Sequence, residues 1–552
     1  MNMATEHLSE APARLQGLNT LPKTAYFCME MAIDQSLYTY SGGLGYLAGS
    51  HMLSAGYLKL PLVGVTILWK NGYGFQEIDE NEQVKIVYRE QSYPFLKDTG
   101  IVVDVTIFGE TVKVKGLLLE PETFGTAPVY LLTTDIPENN EYHRGLTNVL
   151  YDGDQKIRIA QEVILGIGGM RVLKAAGVDV DLVHMNEGHA LPAAFEMLSD
   201  FGGDLNEVRE RLVFTTHTPV AAGNETHPVH LLAEGGFFAD TDVHRAVELG
   251  GEEFCLTVAA LRMSRDANGV SQLHGQVANN MWNWVHGRCH IRAITNAVNT
   301  RYWQDPRMVG ASNDDELRSA KRQMKQELLD VVREQTGKEL NPDVLTVVWA
   351  RRFTEYKRAG LIFEDKERIL KLLEGNKIQL IYAGKFHPDD TSGRDIFNTV
   401  IQYAKEMPNL AILTNYDLAL SAKLKRGADV WLNTPRRPME ASGTSGMGAN
   451  MNGAIHCSTF DGWAVEGTYN GLNGFIINES EGEDYLPVEE RRKRDYESLM
   501  EILESHIIPT YYEDPATWCQ LMRHAMQTTT SYFNSDRMVI DYLIQLYKPV
   551  NL

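Results

Sequence analysis

Apolar residues in this chain occur in short runs separated by longer stretches in which they recur every three or four positions. The runs Pro61–Leu68, Asp181–Met185, Leu212–Thr215 and Ile291–Ile294 have strand length and a β-rich composition, as do Leu345–Trp349, Ile378–Ala383, Ala411–Leu413 and Asp429–Leu432. Their alternation with helical patterns predicts a parallel α/β architecture. A long helix is predicted between the two sets. Ser312 and Asn313 are its capping residues, Leu317, Ala320, Met324, Leu328 and Val331 form its apolar face, and Gly337 supplies the left-handed residue that ends it. The stretch Tyr496–Leu552 reads as two or three helices broken at Pro509 and Pro515. A chain of 552 residues exceeds a single core, and two nucleotide-type α/β halves facing a central cleft fit the length.

Charge narrows the function classes. Acidic residues outnumber basic ones, 73 to 52, which argues against a nucleic-acid-coating surface. An anionic ligand then needs a local basic cluster. The five cysteines are scattered without metal-ligand spacing, so reduced thiols and no metal are expected. Met1–Leu15 carries Glu6, Glu10 and Arg14 and is not expected to be a signal peptide. The apolar run Leu60–Trp69 contains a proline and is too short to span a bilayer, so a cytoplasmic location without membrane partners is expected.

Chemistry-bearing residues cluster just after the predicted strands, where open parallel sheets bind ligands. Ser41-Gly42-Gly43-Leu44-Gly45 is a turn whose backbone N–H groups could approach an anion or sugar, although a plain tight turn reads equally well. Asn186-Glu187-Gly188-His189 and His217-Thr218-Pro219 follow two strands and suggest a sugar-lined cleft; a lone histidine there would be a hydrogen-bonded structural residue. Arg351-Arg352-Phe353-Thr354-Glu355-Tyr356-Lys357-Arg358 places four cations in eight residues of an acidic chain. The planar fork of Arg352 and the point charge of Lys357 suit a phosphate clamp. Glu440, followed by Ser442-Gly443-Thr444-Ser445-Gly446, precedes a predicted helix start and reads as a second anion site, with the glutamate accepting from sugar hydroxyls. A simple helix cap is the alternative.

These segments, in this order, resemble the α-glucan (glycogen) phosphorylases, especially their short bacterial branch. The resemblance extends over nearly the whole chain and includes Tyr38–Gly49, His184–Ala190, Phe214–Pro219, Thr295–Trp303, Arg351–Phe363 and Asp429–Asp461. It implies a GT-B fold of two Rossmann-like domains facing a central cleft, and retaining α-glucosyl transfer. Residues 1–300 would form the acceptor-side domain with the glycine-rich loop, and 301–343 a helical connection. Residues 344–505 would form the donor and phosphate domain, and 506–552 helices packing back on the N-terminal domain. Arg352 and Lys357 would bind the transferable phosphate, with Gly42 and Gly43 beside it. Glu440 would hold the sugar, and His217 and Asn296 would contact the glucosyl unit. Asn186, His189 and Ser442 join the sugar-binding set. Gly443, Thr444 and Ser445 fall where the family grips the phosphate of pyridoxal phosphate (PLP), with Tyr356 near that cofactor.

The resemblance also places the PLP lysine at position 448, where this chain has glycine. Glycine has no amine, so no Schiff base can form from that residue and PLP is doubtful. Ala297, Asn299 and Ser50 depart from the family pattern too. Three functions follow. The first is a PLP-independent retaining glycosyltransferase using a nucleotide-linked or other phosphorylated sugar donor, with a glucan or small-molecule acceptor. The second is a glucan phosphorylase that holds PLP non-covalently, or an engineered lysine variant. The third is an inactive glucan- or phosphosugar-binding homologue, disfavoured because Arg352, Lys357, Glu440 and His217 are all retained. Oligomeric state is left open, with a homodimer as one option.

Overall fold

The computed structural model describes residues 21–479 and 486–548; the N-terminal stretch Met1–Leu15 lies outside them. The chain divides into two compact units. The N-terminal unit contains the described residues up to Gly74, then Tyr88–Asn296 and the residues from Ser535 on. The C-terminal unit contains Phe75–Val87 and Ala297–Asn534. Of the segment 506–552, therefore, only the part from Ser535 belongs with the N-terminal unit.

The described residues of the N-terminal unit form a nine-stranded sheet. Its parallel part runs in the order His290–Ala293, Asp266–Gly269, Leu212–Thr215, Leu182–Asn186, Thr24–Phe27, Leu62–Ile67, Val129–Thr133. The antiparallel hairpin Lys97–Ile107/Glu110–Leu119 extends it at the Val129–Thr133 edge. The parallel strands are buried on both faces, so they carry continuous apolar runs that show in the sequence. The hairpin alternates exposed and covered residues and lies outside that signal. The last helix, Ser535–Tyr542, returns to this sheet: Tyr542 Oη accepts from Asn268 Nδ2 at 3.0 Å, and Tyr547 Oη lies 2.7 Å from His184 Nδ1.

The C-terminal unit has a fully parallel six-stranded sheet in the order Leu410–Leu413, Ile378–Ala383, Leu345–Ala350, Val430–Asn433, Ile455–Thr459, Gly474–Ile477. All eight runs predicted from the sequence correspond to strands of these two sheets, to within a residue or two at their ends. The long helix spans Asp314–Thr336. Asn313 accepts from the Glu316 N–H while Glu316 accepts from the Ser312 N–H, a reciprocal cap, and Gly337 ends the helix at φ 71°. Its buried face departs from prediction at one end, where Val332 rather than Val331 is covered. Lys321 and Lys325 are buried on it as well. The Lys325 ammonium lies 2.5 Å from Asp429, and that of Lys321 donates to the carbonyls of Arg426 and Asn452, each at 2.9 Å. Pro509 does not break the C-terminal helices as expected. It lies inside the continuous helical run Val488–Glu513, directly after its π-helical turn Ile502–Ile507.

Candidate functional site

The C-terminal ends of three adjacent strands of the six-stranded sheet lead to a buried charged cluster. Leu345–Ala350 delivers Arg351, Val430–Asn433 leads through Thr434–Met439 to Glu440, and Ile455–Thr459 leads to Asp461. Glu440 is the meeting point. Its Oε2 takes a hydrogen bond from Arg351 Nη2 at 2.5 Å and a second from the Lys357 ammonium. All three side chains are 10% exposed or less. Burial alone would raise the Glu440 pKa, but the two cations outweigh it and hold the carboxyl at about 2. Asp461 positions this glutamate by accepting from its backbone N–H at 2.9 Å, and its second oxygen accepts from Gly462 N–H. Burial, with Glu440 nearby, pushes Asp461 up to about 8. Gly443, at φ +81°, turns the chain so that Glu440 side-chain atoms stand 3.3 Å from where a Cβ would be.

Arg351 joins Lys357 on Glu440, while Arg352, the other residue expected in the clamp, is exposed. The helix after Gly443 spans only Ser445–Asn450. Thr444 makes no side-chain cap, and the Ser445 hydroxyl accepts from Trp431 Nε1 at 3.2 Å. Tyr356 remains beside the clamp, its ring 4.7 Å from the Lys357 ammonium. Several buried polar atoms in this unit have no hydrogen-bond partner among the described residues: Arg351 Nη1, Ser442 Oγ, Asn433 Oδ1 and Trp463 Nε1. Groups buried at that cost are where a polar ligand would supply the missing partners.

The N-terminal unit has its own cluster. His217 Nε2 and Asn186 Oδ1 are 2.7 Å apart at the ends of adjacent strands. Glu187, at φ 74°, accepts from the backbone N–H of His217 and the hydroxyl of Thr218. Burial raises Glu187 to about 7, lowers His217 to about 3 and lowers His189 to about 4, so both imidazoles are neutral. Asn296 Oδ1, His189 Nδ1 and His274 Nε2 are buried without partners among the described residues. In the glycine-rich turn the N–H groups of Ser41 and Gly42 donate to the buried carboxyl of Glu30, at 2.6 and 3.1 Å. Gly43 begins the helix that follows, Gly43–Tyr57. Glu30, Glu187, Arg351 and Asp461 were missed as site residues. The sequence offered only their adjacency to motifs, since burial and pairing arise from the fold.

Gly448 is fully buried within Ser445–Asn450, and its carbonyl accepts from Asn452 Nδ2 at 2.8 Å. The same amide donates to the Trp303 carbonyl at 2.9 Å. Asn299, one of the departures noted above, caps the helix Thr300–Trp303 and so helps fix Trp303.

Residues 306–471 match the carbohydrate phosphorylase family model. A maltodextrin phosphorylase of Thermococcus litoralis is 34% identical over 590 residues, covering 95% of this chain and 70% of that protein. The chain belongs to the carbohydrate phosphorylase family. A glycogen phosphorylase of Aquifex aeolicus is 32% identical, over 94% of this chain and 85% of its own length. An uncharacterized protein of Methanocaldococcus jannaschii is 46% identical, over 95% of this chain and 99% of its own. For this phosphorylase-family chain, the parallel sheets and the glycosyltransferase class follow from that membership. Among the described residues no helix is long and apolar enough to cross a membrane.

Proposed function

We propose that this protein transfers α-glucosyl units, with retention, between orthophosphate and the end of an α-glucan. The observation that carries the reading is the buried Arg351–Glu440–Lys357 cluster with Arg351 Nη1 lacking an acceptor. Two cations and one carboxylate leave a net positive site that a phosphate oxygen would complete, and the exposed Arg352 fork beside it would take the remaining oxygens. Such a clamp stabilises charge that grows on the leaving phosphate as the glycosidic carbon–oxygen bond breaks. Glu440, ionised at neutral pH, would accept from sugar hydroxyls. In the N-terminal unit, considered by itself, neutral His217, aligned by Asn186, and Asn296 form a polar cluster suited to sugar hydroxyls.

A second reading uses a nucleotide-linked sugar without PLP, and rests on Gly448, which offers no amine. Purified protein incubated with maltodextrin and glucose 1-phosphate, with and without added PLP, should release orthophosphate. Incubation with nucleotide diphosphate glucoses should release no nucleotide. Nucleotide release without phosphate release would replace the first reading with the second.

A further inference from the structure

The N-terminal unit brings together three side chains that no sequence motif links: Glu162, His189 and Glu225. Glu162 lies near the end of the helix Gln155–Val163, His189 in the short turn after the strand Leu182–Asn186, and Glu225 just before the strand Thr226–Pro228. One ligand-type atom from each falls within 4.8 Å of the other two. The imidazole Nε2 of His189 is 4.0 Å from Glu225 Oε2.

Glu162 is fully buried, and neither oxygen of its carboxyl has a hydrogen-bond partner among the described residues. A carboxyl placed so costs free energy unless a proton or a cation meets it. Glu225, by contrast, is held from outside the cluster. Arg158 Nη2 donates to its Oε2 at 2.8 Å, and His227 Nε2 lies 3.1 Å from its Oε1. Gln155 Nε2 donates to Nδ1 of the same histidine at 2.8 Å, which leaves the ring proton on Nε2, facing Glu225. These contacts do for Glu225 what outer partners do for a metal-bound carboxylate: they fix its orientation and still leave lone pairs on its oxygens. The two carboxyls outnumber the one guanidinium of Arg158, so the cluster is short of positive charge when both are ionised.

We infer that Glu162, His189 and Glu225 bind a divalent transition-metal ion of the zinc class. One imidazole nitrogen and two carboxylate oxygens suit such an ion, and three protein ligands leave a fourth position for water or a hydroxyl. The imidazole argues against magnesium and calcium, which take oxygen ligands. Zinc bonds to nitrogen and oxygen span about 2.0–2.2 Å, so inward side-chain shifts of about an ångström close the set. His189 and Glu225 keep 16% and 26% of their side-chain surface exposed, which gives the ion a way in. The site goes beyond the glucosyl-transfer reading, and its test uses no turnover.

The full-length protein is stripped with EDTA, incubated with zinc(II), passed through gel filtration and assayed for bound metal by plasma mass spectrometry. One tightly held equivalent per chain is expected, with a rise in melting temperature on zinc addition. Glu162→Gln keeps the side-chain volume and should lose both the equivalent and the rise while retaining its circular dichroism spectrum. His189→Gln should lose them too, which keeps the test decisive if the first variant folds poorly. Cobalt(II) in the native protein should give weak visible d–d bands without the intense near-ultraviolet band of a thiolate ligand. Three results would each overturn the inference: no metal retained by the native protein, which would leave Glu162 holding a proton instead; the equivalent retained by folded Glu162→Gln; or a cobalt–thiolate band from the free cysteines.

Discussion

Replacing Glu440 with glutamine tests the charge arrangement at its centre. The amide keeps the side-chain volume and one oxygen acceptor, but Arg351 and Lys357 become two buried cations with no carboxylate between them. Removing one partner of a buried ion pair costs about 3–5 kcal/mol, because the remaining charge stays desolvated. Here two charges remain, so Glu440→Gln should lose stability at the upper part of that range in chloride buffer. An anion that binds the clamp would restore part of it. Orthophosphate at a hundredfold excess over its dissociation constant returns about 2.7 kcal/mol through linkage. The variant should therefore gain markedly more thermal stability from phosphate than the native protein does at matched ionic strength, which controls for the general effect of the salt. Differential scanning calorimetry of both proteins in chloride and in phosphate measures the difference. Glucosyl transfer should fall in the variant even where phosphate binding tightens, because the ionised acceptor for the sugar hydroxyls is replaced by a neutral amide. An equal phosphate response in both proteins, or no loss of stability in chloride, would refute the clamp. The acid limb offers a second check. The native carboxyl is held at about 2 against an ordinary 4.5, so its contribution is present above pH 4.5 and lost as pH falls towards 2. That acid-dependent loss should be missing from the variant's stability curve.

Other perturbations separate neighbouring roles. Arg352→Ala and Lys357→Ala should each reduce kcat/KM by a factor corresponding to about 2–4 kcal/mol, with Lys357→Ala alone also lowering stability, as read by steady-state kinetics and urea unfolding. Asp461 is raised from 3.8 to about 8, so the folded state binds more protons between those values and stability should decline as pH rises through that window, by at most about 1.4 kcal/mol per pH unit. Asp461→Asn should flatten that decline in unfolding titrations at several pH values, and an unchanged slope would assign it to other groups. Lys321→Met leaves the Arg426 and Asn452 carbonyls without that donor and should cost about 1–3 kcal/mol of stability, with faster amide exchange across 445–452 in mass-spectrometric hydrogen exchange.

What the sequence made legible follows from how each signal arises. Strands buried on both faces carry continuous apolar runs, and the long helix carries its own cap and stop residues, so both are local properties. The edge hairpin Lys97–Ile107/Glu110–Leu119 was not legible, because half of it faces solvent and its polar residues break the run. Motif spacing singles out Lys357, Glu440 and His217, but that Arg351 is the arginine meeting Glu440 depends on the fold. Glu30 lies eleven residues from Ser41 and becomes its partner only when the turn folds back. Lys321 and Lys325 carry no apolar signal in the sequence and yet lie on the buried face of the long helix. They are buried because backbone carbonyls and Asp429 from distant segments are there to receive them.

Read along the chain, Gly448 lacks the amine that the family resemblance leads one to expect at that position. Read in space, it is one half of a pair whose other half lies 23 residues earlier on an adjacent helix, since 448 minus 425 is 23. The Lys425 stem passes within 3.4 Å of a Cβ at 448 at two of its carbons, tighter than ordinary packing allows. A side chain at 448 would have to displace it. A buried lysine is costly unless something compensates for its desolvation, and the indole face of Trp303 supplies one compensation. Glycine at 448 is therefore the residue that makes room for Lys425.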